Sequence, residues 1–281
     1  MTVRILVDST ADIPLDRAQQ LGIEVVPLAV LFGDQEYLDG VDLTADEFYN
    51  KLAHTPVSPT TSAPSPGMFE AAFRKLFNEG AESVLALMLG KDLSATYGNA
   101  RQAASVVTQE TGKRIEVVDS GTVSGGFGMP AEMLANEAPN GATLEHLKAR
   151  AESLCSRVHL YAALDTLEYL QRGGRIGRAR QLIGSLLNVK PILEVRDSHV
   201  LPVENVRTRS RAQERVGQLI KDCGPIEAMA IVESSPQVGE QYNAIARTFF
   251  DGPIYHYALG PVVGTHAGPG AGGIVAITRE Q

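Results

Sequence analysis

Cysteine is scarce in this chain. Cys155 and Cys223 are the only two and form no C-x-x-C pair, so neither a disulfide scaffold nor a zinc ribbon is expected and a reducing cytoplasm fits best. Long apolar runs are missing as well: nothing approaches the roughly 18 consecutive apolar residues of a membrane span. Met1-Thr2-Val3-Arg4 leads straight into a strand-like pattern, without the charged start and apolar stretch of a signal peptide. Basic residues are in deficit, with a formal net charge of -8, which argues against a nucleic-acid binder held by phosphate attraction. No G-x-x-x-x-G-K-[ST] loop occurs, so a triphosphate cradle of that kind is excluded. The six histidines show no metal-site spacing, and no metal is expected.

What is present is an ordinary globular composition, 44% hydrophobic and 21% charged, punctuated by 27 Gly and 15 Pro. A chain of 281 residues exceeds the usual single-domain size. It divides into an N-terminal α/β domain over residues 1–158 and a C-terminal mixed α/β domain over 159–281.

The first half alternates strands and helices. Val3 to Val7, Glu24 to Phe32, Ser83 to Leu89 and Ile115 to Val118 read as strands. Helices fit Leu15 to Leu21, a capped segment from Thr44 with Glu47 at capping-box spacing, Ser65-Pro66 to Asn78, and Ser94 to about Thr108. Residues 56–66 read as a Pro-rich loop. This pattern predicts a mainly parallel, Rossmann-like sheet with helices on both faces. Asp8-Ser9, Ser94 and Asp119-Ser120 would then follow carboxyl ends along one sheet edge, where helix N-termini favour anions.

The second half breaks that rhythm. Ile192 to Val195 and Val200 to Val203 read as a hairpin joined across Arg196-Asp197-Ser198-His199. Strands are expected at His159 to Ala163, Ala228 to Val232, Ile254 to Ala258 and Gly273 to Thr278, and a strongly apolar helix over Gly177 to Asn188. The stretch from Arg172 to Arg215 holds ten basic residues against four acidic ones, a local positive face inside an acidic protein.

Three distant stretches, each read as a loop beside an apolar strand, carry the candidate chemistry: Thr60-Thr61-Ser62, Leu93-Ser94-Ala95-Thr96 and Gly264-Thr265-His266-Ala267-Gly268. Thr61, Ser62 and Ser94 supply hydroxyls that hold a carboxylate without a full positive charge; Ser94 can equally be a helix cap. His266 stands out among glycines that let the backbone approach closely. In Gly173-Gly174-Arg175-Ile176, Arg175 can either reach a polar network with His266 or satisfy the carbonyls ending the preceding helix. Ser94, His266 and Asp8 or Asp119 would also supply the parts of a hydrolytic triad. However, Leu93-Ser94-Ala95 is not G-x-S-x-G. A serine hydrolase or phosphotransferase using this crevice is therefore the alternative to a site that only binds a carboxylate.

Taken together, Val7-Asp8-Ser9-Thr10-Ala11-Asp12, Pro59-Thr60-Thr61-Ser62-Ala63-Pro64, Leu93-Ser94-Ala95-Thr96-Tyr97, Tyr169-Leu170-Gln171-Arg172-Gly173-Gly174-Arg175-Ile176, Lys190-Pro191-Ile192-Leu193 and Gly260-Pro261-Val262-Val263-Gly264-Thr265-His266 resemble the DegV family of bacterial fatty-acid-binding proteins, nearly end to end. The resemblance implies a two-domain protein that encloses one long-chain fatty acid between its domains. As in FakB members, it would present the carboxylate to a separate fatty acid kinase that makes acyl phosphate for phospholipid synthesis, without catalysis or a cofactor of its own. By motif, Thr61 or Ser62 and Ser94 would bind the carboxylate, and Arg175, Arg207 and His266 would form the polar network behind it. Two positions depart from the pattern. Ala63 replaces the usual glutamine and Ala95 the usual glycine, which bears on pocket shape and chain-length preference.

Overall fold

The computed structural model describes residues 2–183 and 189–280. Its first half comprises β1 (Val3–Asp8), α1 (Leu15–Leu21), β2 (Glu24–Val26), β3 (Ala29–Phe32), β4 (Gln35–Leu38), α2 (Ala45–His54), β5 (Thr60–Ser62), α3 (Pro66–Asn78), β6 (Ser83–Met88), α4 (Thr96–Thr111), β7 (Arg114–Asp119), α5 (Gly125–Glu137) and α6 (Leu144–Ser156). Strands β2-β1-β6-β7 form a parallel sheet in that order. Its central strands carry the apolar runs Ile5 to Val7 and Val84 to Met88 because both faces are covered. Leu6, Val84, Ala86 and Met88 pack beneath α3 and α4, while Ile5, Val7, Leu85 and Leu87 pack beneath α5 and α6.

The single strand expected over 24–32 is two strands in two sheets. Residues 27 and 28, a Pro-Leu pair, separate them; proline has no N–H for the parallel ladder, and the chain turns away there. Beyond it, β3 pairs antiparallel with β4 and with β5 in a small separate sheet. Thus part of the expected Pro-rich loop is strand β5. The capping box at Thr44 forms, with the Glu47 carboxylate accepting the Thr44 N–H at 2.9 Å. Helix α5 carried no helical signal, since Gly125, Gly126, Gly128 and Pro130 weaken it intrinsically. The glycines are there for contact: a Cβ at Gly125 would stand 2.6 Å from the Tyr257 ring.

The second half comprises β8 (Val158–Ala163), α7 (Glu168–Arg172), a 3₁₀ turn (Gly177–Leu182), β9 (Lys190–Arg196), β10 (His199–Val206), α8 (Arg209–Asp222), β11 (Ile226–Glu233), α9 (Pro236–Ala246), β12 (Ile254–Ala258), α10 (Pro261–Ala267) and β13 (Gly272–Thr278). The helix expected over Gly177 to Asn188 is 3₁₀ as far as Leu182, and residues 184–188 lie outside those described. Six strands run β10-β9-β8-β13-β11-β12. Only β11 and β12 are parallel neighbours, so the sheet is mixed and the fold is a two-domain α/β arrangement. The β9–β10 hairpin turns through Asp197 and Ser198, at φ 50° and 63°, the left-handed pair that matches strand twist in a two-residue turn.

Alternation divides this sheet cleanly. Ile192, Ile231, Ile274 and Ala276 face α8 and α9, whereas Leu160, Leu164, Leu193, Val200 and Val232 face the first half and join its core. The last helix crosses over. Val262 of α10 packs with Leu28, Val30, Phe32 and Phe48, against the small sheet and α2 of the first half.

Candidate functional site: an aliphatic cavity closed by hydroxyls and an imidazole

The inner face of the six-stranded sheet does not close fully on the first half. A cavity lined by residues of both halves lies between them. Its floor is aliphatic: Leu193, Val195, Leu160, Ala162 and Val232 come from the period-2 inner face of β9, β8 and β11, and Val200 from β10. Leu89 and Leu93 supply the first half's wall, and Val262 and Val263 of α10 a third side. Among the described residues no Phe, Tyr or Trp side chain lines it. Its polar lining includes Thr61, Ser94, Arg175 and His266.

Thr61 and His266 meet although 205 residues apart, with Thr61 Oγ1 3.0 Å from His266 Nε2. Two elements bring them together. In β5, Thr61 pairs with Val30 and turns inward, while its neighbours Thr60 and Ser62 are exposed. His266 lies in the last turn of α10, not on the expected loop. The glycine-rich sequence concealed that helix; Pro261 fits its first turn, and a Cβ at Gly264 would stand 2.7 Å from the Phe48 ring, so Gly264 serves close packing on α2.

The start of α10 is gripped by carboxylates. Asp12 accepts the Gly260 N–H at 2.9 Å and the Ser124 hydroxyl, and Asp39 accepts the Val262 N–H and, at 2.7 Å, the Ser9 hydroxyl. Asp8 accepts the Thr10 N–H at 3.0 Å and the Leu89 N–H at 2.9 Å. Burial pushes Asp8 up to about 6 and Asp39 up to about 7, and it raises Asp12 well above the carboxylate range, with the Asp39 charge adding to it. The sheet edge expected to welcome anions at Asp8-Ser9 is thus occupied by the protein's own carboxyl groups, and the neutral hydroxyl spot sits beside it.

Ser94 lines the cavity, with Oγ 2.9 Å from Thr96 Oγ1 and accepting the Thr96 N–H at 3.3 Å. It precedes Ala95, which is the N-cap of α4 and carries no side-chain cap, so Ser94 braces the turn into that helix and is not its cap. Its hydroxyl has no hydrogen bond to His266 among the described residues, as the imidazole is engaged by Thr61. Of the two roles read for Arg175, the carbonyl-satisfying one is seen: Nη1 donates to the Gly173 carbonyl at 2.8 Å and Nε to the Leu93 carbonyl at 3.1 Å, at the rim of the cavity, and among the described residues it makes no hydrogen bond to His266. Burial, and then the Arg175 cation, lower His266 to about 4, so the ring is neutral near pH 7.

Two expected members stand elsewhere. Ser62 points outward, with Oγ 3.5 Å from the Ala63 carbonyl, because adjacent strand residues face opposite ways. Arg207 is exposed beyond the end of β10 and is not part of the cavity lining. Conversely, Thr10 and Ser124 line the cavity and were missed. Ser124 sits at φ 57° in a segment with no legible pattern. Outside the rim, a second cleft shares Leu93, Ser94, Arg175 and Val200 with the cavity and adds Lys91, Arg178 and His199. Among the described residues no group of three or more His, Cys, Asp or Glu is placed to hold a metal ion, and no helix is long and apolar enough to cross a membrane.

The same architecture recurs in known proteins. A DegV domain-containing protein of Halalkalibacterium halodurans is 35% identical over 285 residues, covering 97% of each chain; one of Streptomyces coelicolor is 33% identical over 283 residues, covering 99% of each. Among solved structures, a DegV family protein from Thermus thermophilus described for fatty acid binding superposes with TM-score 0.90 at 30% identity, covering 99% of this chain and 100% of the other. DegV of Bacillus subtilis, described as a fatty acid binding protein, gives TM-score 0.87 at 30% identity with the same coverage. The model of an uncharacterised protein family, DegV, matches residues 2–279, and the chain belongs to the DegV family.

Proposed function

We propose that this protein binds one long-chain fatty acid between its two halves and presents the carboxylate to a separate fatty acid kinase. The observation that carries the reading is the aliphatic cavity ending at Thr61, Ser94, His266 and Arg175. Its lining draws on β10, β9, β8, β13 and β11, four strand-to-strand steps that span roughly 19 Å at about 4.8 Å each. Burying about 14 methylenes contributes on the order of 11 kcal/mol before ordering and association costs. The tail therefore supplies affinity, and the hydroxyls orient and solvate the head.

Thr61 and Ser94 are the carboxylate's donors in this reading, with His266 behind Thr61 and Arg175 at the rim. The cationic outer cleft of Lys91, Arg175 and Arg178 gives a phosphate-bearing kinase a complementary approach to the exposed head. The working compartment is the cytoplasm. Solved relatives described as fatty acid binding proteins support the ligand class. Purification from a bacterial host, denaturation and mass spectrometry of the released lipid test the reading: a stoichiometric long-chain fatty acid is expected. Protein that stays empty and fails to bind added fatty acid refutes it. With ATP and a fatty acid kinase, hydroxylamine trapping should detect acyl phosphate only when this protein is present.

A further inference from the structure

The two glycines of Gly173-Gly174 are there for different reasons. Gly174 has φ 69°, a left-handed turn that favours glycine. Gly173 has φ -75°, which any residue adopts, so its backbone does not call for glycine. Space does. A Cβ at Gly173 would overlap His266 Nδ1 and stand 2.6 Å from Cε1. The imidazole rests on the bare Cα of Gly173, and its Nδ1 is buried with no hydrogen-bond partner.

A neutral imidazole carries one proton on one of its two nitrogens. On Nδ1, that N–H would be buried with nothing to receive it, the costlier of the two ways to leave a polar atom unpaired. On Nε2, it donates to Thr61 Oγ1 at 3.0 Å. The consequence reaches the ligand. A hydroxyl has one proton: if Thr61 gave it to the ring, a lone pair would remain for an anionic head, whereas a Thr61 that accepts from the ring keeps its proton for the carboxylate.

We infer that Gly173 is a positioning residue of the head-group site, the seat that keeps the proton of His266 on Nε2 and so makes Thr61 a donor toward the cavity. The inference rests on the carboxylate-binding reading for its purpose, but the proton's location is measurable without ligand. Nitrogen NMR of the isotope-labelled, lipid-free protein should show a protonated Nε2 and a bare Nδ1 on His266; a proton on Nδ1 overturns the inference. Gly173→Ala should weaken fatty acid binding about tenfold, the loss of one hydrogen bond to a charged group, and shift the carboxyl resonance of a carbon-labelled fatty acid. In a His266→Ala background, the same Gly173→Ala change should leave affinity unaltered. Unchanged affinity in the wild-type background, or equal losses in both, also overturns it. Should Gly173→Ala fail to fold, the wild-type nitrogen spectrum still decides. Should the protein bind no fatty acid, the proposed function falls while the nitrogen assignment stands.

Discussion

Thr61 and Ser62 are neighbours of similar chemistry, yet the pleat of β5 sends them opposite ways. Thr61→Val keeps the shape and removes the hydroxyl, so displacement of a fluorescent fatty acid should show a loss of about 2 kcal/mol, the range for a hydrogen bond to a charged group. Ser62→Ala should leave binding within twofold of wild type in the same assay. The buried carboxyl groups give a pH prediction. Asp39, at about 7 in the folded protein against 3.8, keeps a proton that the unfolded chain releases, and this contribution is fully present below pH 4 and fades as pH rises through 7. Asp39→Asn should therefore flatten the fall in urea stability between pH 4 and 7 relative to wild type. If the two slopes coincide, Asp39 is not the titrating group. At this scale the sequence was informative about residue type and silent about proximity. Ser94 and His266 stood out by their settings, but Arg207, chosen with them, is exposed beyond β10, because a one-dimensional motif does not say which side of a strand its last residue leaves by.

Elements were legible where one physical signal dominated. The unbroken apolar run of β6 and the capping box of α2 lie where the pattern put them, since burial on both faces and reciprocal capping each leave a local mark. Helices α5 and α10 were illegible for the opposite reason: their glycines suit neighbours that only the folded chain supplies, Tyr257 for one and Phe48 for the other. The break at Pro27-Leu28 was visible as a residue but not as a change of sheet. The α10 packing carries its own test. Phe48 is fully buried and is not among the cavity-lining residues. Phe48→Ala should lower stability by about 3–5 kcal/mol and also weaken fatty acid binding, as α10 loses the surface that holds His266 against Thr61. Denaturation and displacement measurements together check it, and full affinity in the destabilised variant would separate α10 packing from the site.

Over the whole molecule, the two halves share one apolar core, with Leu87 and Phe127 of the first in the same cluster as Leu160 and Val275 of the second. A ligand lying in that seam binds only the assembled protein, so delipidation should lower the melting temperature and added fatty acid restore it. At 100 times Kd, the gain is about 2.7 kcal/mol. A thermal scan that ignores lipid content would mean the ligand lies outside the seam. Helix α10 extends the point. The small sheet and α2 bury Val30 and Phe48 with Val262 of α10, so the N-terminal half lacks part of its own interior until α10 has been made. During synthesis, those early residues must wait on the ribosome for more than two hundred others, and a polypeptide stopped at residue 158 should emerge sticky and sensitive to protease, however complete its parallel strands.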